Sequence, residues 1–336
     1  MLVPSEELAL SQRNWLDQYR HYIDLDVAEG NAADDTVKSY LVAFKQFLSW
    51  CAEGGIHPLE ATENDLLGYR RWLIEVKKYS PASIALKLTA LRRFYAQALR
   101  CGAISFNPAF HIKPPRSLQD PAERINYLEG QEAERLLECL PKDESLASLR
   151  DRLLVGLMIM QGCRTVELHR LNVGDVMHRG RDVGLRVSGK RSRRVVPLTP
   201  GLARVLAQYL MALKESAGEN LNADTPLFIS LSRRAMGERL TRRSIARIVD
   251  GYLKDAALKP ETPRNEGQKR PKGKPQRQLS AHSLRHTAGT LALRTGASLR
   301  QVQDLLGHAD PRTTALYTHI ADRWTHNPAL NMGLVI

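Results

Sequence analysis

Between residues 282 and 319 the chain places a histidine, an arginine, a second histidine and a tyrosine among strong helix signals: His282, Arg285, His308 and Tyr317. These side-chain types hold anions, move protons and form covalent bonds. A guanidinium is charged at any working pH and can fork across two oxygens of a phosphate. A phenol with a pKa near ~10 is only about one part in a thousand phenolate at neutrality. It becomes a useful nucleophile when neighbouring cations and a base draw off its proton.

Such residues act together only if rigid elements hold them. Ser280 precedes an apolar run and Gly296 follows it, which predicts a helix with His282 and Arg285 on one face. Ser298 with Gln301 reads as a capping box opening a second helix, closed by Gly307. His308 then falls just past a helix end. Asp310 followed by Pro311 is an N-cap with proline at the first helical position, opening a third helix that carries Tyr317 nearly two turns along. The stretch reads as the frame of an active site.

The runs His282-Ser283-Leu284-Arg285-His286, Leu305-Leu306-Gly307-His308 and Thr313-Thr314-Ala315-Leu316-Tyr317 resemble the C-terminal signature of the tyrosine recombinases of the phage-integrase and Xer type. The resemblance calls for an upstream arginine, and Gln161-Gly162-Cys163-Arg164-Thr165-Val166-Glu167-Leu168 supplies it, with glutamine where threonine is usual. It calls for a lysine in a β-turn, supplied by Ser188-Gly189-Lys190. That turn departs from the pattern: it lacks a second glycine and is one residue shorter. The resemblance implies roles. Arg164, Arg285 and His308 hold the scissile phosphate, Tyr317 attacks it, His282 accepts the phenol proton and Lys190 protonates the leaving 5′ oxygen. It also implies a 3′-phosphotyrosine intermediate, with no ATP and no cofactor. His282 and His286 are four apart, but no glutamate follows His282 and no acidic cluster suggests a two-metal site, so no metal is expected.

At 336 residues the chain can form two domains, and its 43% hydrophobic content is ordinary for a globular protein. The net charge of +13 fits either a polyanionic partner such as DNA or RNA or a merely basic protein. Cys51, Cys101, Cys139 and Cys163 are far apart, which argues against zinc and disulfide frameworks and for a reducing cytoplasm. The first residues hold no apolar secretion signal, and no run reaches the roughly 18 apolar residues of a membrane span.

Along the chain, the periodicity predicts helices around 34–53, 63–76 and 81–101. In the last of these, Ile84, Leu86, Leu88, Leu91 and Tyr95 are expected to face inward. Lys87, Arg92 and Arg93 on that helix suit either a solvated face or phosphate contacts, and the resemblance favours the second. Prolines at 108, 114, 115 and 121 break the periodicity, so 111–124 reads as a basic linker between a helical domain (1–110) and a catalytic domain (125–336). In the second domain helices are expected at 128–140, 146–160, 202–213 and 240–253. A hairpin at 183–198 is expected to carry Arg191 and Arg193 as further DNA contacts, with a third short strand near 174–177. Thr165 is the expected cap of a short helix containing Glu167. Residues 259–278, with Lys269 and Arg270, form a basic tract that is either a mobile surface loop or one that orders on phosphates.

The fold implied by the resemblance is mainly α. A small helical core-binding (SAM-like) domain and a mainly helical catalytic domain with a small antiparallel sheet would clamp the DNA between them. The implied partner is double-stranded DNA with inverted-repeat core sites, bound by a homotetramer, with accessory proteins or a related recombinase as further partners. The apolar end, 330–336, would dock either on a neighbour or on its own chain. Two rivals remain at this stage: a type IB topoisomerase, which shares the chemistry but reseals a single duplex, and a non-catalytic DNA-binding regulator.

Overall fold

The computed structural model describes residues 15–23, 34–116, 125–189, 193–218, 221–259 and 278–317. Lys190, Arg191, Lys269, Arg270, most of the 259–278 tract, the linker from 117 and the 330–336 tail lie outside them. The chain divides into two compact units, Met1–Leu118 and Gln119–Ile336. No helix among the described residues is long and apolar enough to cross a membrane.

The first unit is helical. It comprises α1 (residues 15–23), α2 (Asp34–Glu53), α3 (Glu63–Glu75) and α4 (Pro81–Arg100). Local signals set the boundaries. Thr62 and Asp65 form a reciprocal capping box at the start of α3, and Ser80 caps α4 with Pro81 as its first residue. The apolar stripe of α2 meets α4 and α3 through rings: Phe44 lies 4.4 Å from Phe94 of α4, and Phe47 packs edge-on against Tyr69 of α3 at 5.2 Å. Ile84, Leu88, Leu91 and Tyr95 are buried as their spacing predicts, but Leu86 is 44% exposed. Its position falls on the opposite side of the helix from that stripe.

Several basic residues of this unit are partnered within it. Lys87 Nζ sits 4.7 Å over the Tyr79 ring, and Arg92 donates to the Ile112 carbonyl at 3.1 Å. Arg70 donates to the Lys113 carbonyl, and Ile112 is itself buried in the core of this unit. Arg93 is half-buried.

The second unit is built around α6 (Leu146–Ile159), which is apolar on all sides and buried from Leu153 to Ile159. Packed on it are α8 (Pro200–Ala217), α9 (Arg242–Asp255) and α10 (Ala281–Arg294), with α5 (Gly130–Glu138) beside them. A three-stranded antiparallel sheet, β1 (Val176–Arg179), β2 (Asp182–Ser188) and β3 (Arg193–Pro197), lies in that order. Leu185, Val187 and Val196 form its buried face. Ser188 pairs with Arg193 at the end of the β2–β3 ladder. The short α7 (Thr165–Arg170) precedes the sheet, and α11 (Leu299–Leu306) and α12 (Pro311–Ala315) follow α10.

Two local expectations change. The cap of α7 is Arg164 itself, whose backbone N–H donates to the Glu167 carboxylate at 2.8 Å; Thr165 is the first helical residue. The last helix among the described residues, α12, is only five residues long, and Tyr317 lies in the turn beyond it.

Candidate active site

Glu167 organises one wall of the site. It is fully buried, and a buried carboxylate needs charged partners. Arg164 donates to its Oε1 at 2.9 Å, and Arg194, from β3, reaches both oxygens at 2.5 and 3.2 Å. Burial raises the Glu167 carboxyl, but the hydrogen bonds and charge of Arg194, with those of Arg164, outweigh it and hold the group below its usual range. The carboxylate thereby fixes the arginine that opens α7 and ties it to the strand after the hairpin turn. At the other end of that turn the Gly189 carbonyl accepts from Arg170 at 2.9 Å.

Arg285 comes from the buried face of α10 and is 2% exposed. Its guanidinium donates to the Gly162 carbonyl at 2.5 Å and to the Leu306 carbonyl at 2.7 Å. Gly162 can turn that carbonyl inward because its φ is +61° and because a Cβ there would stand 2.5 Å from Leu306. No carboxylate hydrogen-bonds Arg285 among the described residues. Burial, then the nearby Arg164, lower it to about 10, so it remains charged at neutrality. Arg164 and Arg194 thus share one buried carboxylate while Arg285 hydrogen-bonds none, and the excess of positive charge leaves the site poised for an anion.

His308 follows the left-handed Gly307 that ends α11, as its sequence position predicts. Its backbone N–H donates to the Gln303 carbonyl and its own carbonyl accepts from the Gln303 amide, which fixes the residue on both sides. Its Nδ1 lies 2.9 Å from the Thr314 hydroxyl. Burial and the surrounding arginines lower the ring to about 4, so it is neutral at physiological pH.

Tyr317 is buried at 2% exposure, and its ring stacks 6.2 Å from that of His308. Burial pushes its hydroxyl up to about 12, against the pull of Arg285 and Arg164. The phenol's hydrogen-bond partner is His286, whose Nδ1 is 2.7 Å away. His282 stands more exposed, with its ring 4.5 Å from that of His286.

These side chains line a single cavity of about 440 Å³: Arg164, His282, Arg285, His286, His308 and Tyr317, with Ile125 and Asp310 among the rest of the wall. Five of the six residues expected to be catalytic are therefore brought together, and Lys190 is outside the described residues. Arg193 is exposed at the start of β3. Sequence reasoning passed over Arg194 as one more charge in the turn and considered His286 only as a metal ligand. The signal for His286 was its place four residues after His282 on the same helical face. Its partner, thirty-one residues away, had no local signal.

The sequence profile of the phage integrase family matches residues 126–323, and that of the phage integrase N-terminal SAM-like domain matches residues 15–101. Tyrosine recombinase XerC of Pelobacter propionicus is 34% identical over 297 residues, 87% of this chain and 87% of the relative. Tyrosine recombinase XerD of Xanthomonas axonopodis pv. citri is 33% identical over 307 residues, 89% of this chain and 92% of the relative. The fold is also that of XerH site-specific recombinase bound to palindromic difH substrate, with a TM-score of 0.67 at 19% identity over 97% of this chain and 89% of the other. A lambda integrase dimer bound to a COC′ core site matches with a TM-score of 0.63 at 19% identity, over 91% of this chain and 94% of the other. The chain belongs to the phage integrase family, and is thus a tyrosine recombinase that cleaves and exchanges DNA strands.

Proposed function

We propose that Arg164, Arg285 and His308 bind the scissile phosphodiester, and that Tyr317 attacks it to leave a 3′-phosphotyrosine and a free 5′ hydroxyl. The observation that carries this reading is Arg285. It is a buried guanidinium without a carboxylate partner, on the wall of the cavity that Tyr317 also lines. A buried cation of this kind is offset when a phosphate enters, and its donors are already in place as charge develops at phosphorus. Lys190, in the turn rooted at Ser188 and Arg193, is the proton donor to the leaving oxygen, and His282 completes the set at the cavity wall. The bond energy is stored in the phosphotyrosine, so exchange needs neither ATP nor a metal.

The substrate is a pair of duplexes with inverted-repeat core sites, held by four copies of the chain. The palindromic substrate of XerH and the lambda integrase tetramer on a Holliday junction support that reading. The protein acts on DNA in the cytoplasm, with a related recombinase or an accessory protein as a further partner. Phosphate contacts from Lys87, Arg92, Arg93, Arg191, Arg193, Lys269 and Arg270 would add sequence-independent affinity.

The test mixes the protein with randomly nicked chromosomal fragments in EDTA and recovers protein-linked DNA after denaturation. Nicks let the short 5′-hydroxyl strand leave, which traps the adduct. Adducts from the native chain but not from Tyr317→Phe are expected, and their sequences give the target site. Equal adducts from both would refute Tyr317 as the nucleophile.

A further inference from the structure

We infer that His286 is a catalytic residue of this site: its Nδ1 takes the proton from the Tyr317 hydroxyl as the phenol oxygen attacks phosphorus, and returns it on rejoining. The inference rests on the strand-cleavage reading above.

Geometry comes first. The His286 Nδ1 is 2.7 Å from the phenol oxygen, within the reach a general base requires, whereas the His282 ring lies against His286. The tyrosine ring is held in that position from the same helix. Gly289, three residues after His286 on α10, is so close that a Cβ would stand 3.0 Å from the Tyr317 Cε1. One face of α10 therefore carries both the residue that seats the ring and the one that meets its hydroxyl.

The need for a base follows from burial. With its hydroxyl pushed up to about 12, only about one Tyr317 in a hundred thousand is phenolate at pH 7. Burial, His282, Arg285 and His308 hold the His286 ring down at about 3, so it is neutral and its lone pair is free at working pH. Those same positive or protonatable groups face the cavity where the phosphodiester binds. The negative charge of that phosphodiester offsets them, so the imidazole becomes more basic when substrate is present.

The step balances. The O–H bond of Tyr317 breaks, its proton goes to Nδ1, and the oxygen's electron pair forms the bond to phosphorus. The bond from phosphorus to the 5′ oxygen breaks, and that oxygen takes a proton from the donor assigned to Lys190. Rejoining reverses each transfer, and the phenol recovers its proton from the His286 imidazolium.

The test measures the single-turnover rate of covalent adduct formation on the nicked fragments. It compares the native chain, His286→Ala and His286→Gln, each with Tyr317 either natural or replaced by 3,5-difluorotyrosine, whose phenol is more acidic. Removing the imidazole should slow adduct formation by about a hundredfold or more, within the usual range for a general base. The fluorinated phenol should restore at least about tenfold of that loss, while changing the native rate only a few-fold. Thermal unfolding identifies a variant that has lost its fold, in which case the glutamine variant carries the comparison. Rates within about threefold of native, or a loss that the fluorinated phenol does not rescue, would show that His286 only packs the ring. No adduct from the native chain would sink the strand-cleavage reading and this assignment with it; adducts indifferent to His286 would sink this assignment alone.

Discussion

The two units differ in how deeply they bury positive charge that no carboxylate offsets. In the first, Arg92 and Arg70 are tied to backbone carbonyls, Lys87 lies over a tyrosine ring, and Arg71 pairs with Glu75 on the open surface. In the second, Arg285 is almost wholly buried with no carboxylate of its own, and Arg164 shares Glu167 with Arg194. A charge matched by its surroundings is part of the structure. A buried charge left in excess is costly to the fold, and the gain is realised only when an anion arrives.

The contrast is sharpest at the carboxylates. Glu167→Ala should destabilise the protein by about 3–5 kcal/mol in urea unfolding, because it strands two partly buried guanidinium groups. A loss near 1 kcal/mol would mean that Glu167 is less committed than its burial implies. Arg285→Ala should lower the rate of adduct formation by roughly a hundredfold to a thousandfold, about 2.7–4 kcal/mol of transition-state stabilisation, in the single-turnover assay. If DNA affinity fell and the rate did not, the excess charge would serve binding alone.

A smaller effect is expected from acid. His286 and His308 titrate at about 3 and about 4, below the value near ~6.5 of an unfolded histidine. Between those limits the unfolded chain binds more protons. Stability is therefore full above about pH 6.5 and falls as pH drops toward about 4. The slope is at most ~1.4 kcal/mol per pH unit for each ring, and less for partly exposed His308. Urea midpoints at pH 7 and pH 5 should converge in a His286→Gln, His308→Gln double variant; an unchanged slope would assign the acid loss to other groups. The smallest effect belongs to the first unit. Arg71→Ala removes an exposed i,i+4 pair and should cost no more than ~0.5 kcal/mol, whereas a larger loss would break the contrast between the units.

The sequence carried the frame of this site well. The caps of α10 and α11 are short-range devices, and each formed where its residues stand. Arg164, Arg285, His308 and Tyr317 were legible because their motifs are local and come in order. Three features depended on distant packing. His286 finds its phenol across thirty-one residues, and Arg194 finds Glu167 across twenty-seven. The early end of α12 puts Tyr317 in a turn that Asp310 and Pro311, marking only a start, could not foretell. Leu86 shows the converse, a residue whose apolar character suggested burial while its place on the helix did not.

The clasp of Glu167 by Arg194 also bears on how the hairpin can vary. Arg194 stands after the turn, on β3, paired with Val187 in the sheet register. Strand side chains alternate, so the one-residue slip that puts Val195 in the place of Arg194 would leave Glu167 without that partner. The register is therefore held by charge as well as by backbone pairing. The stretch from 189 to 192 can thus depart from the family pattern in length and glycine content while the clasp at its base keeps its partners.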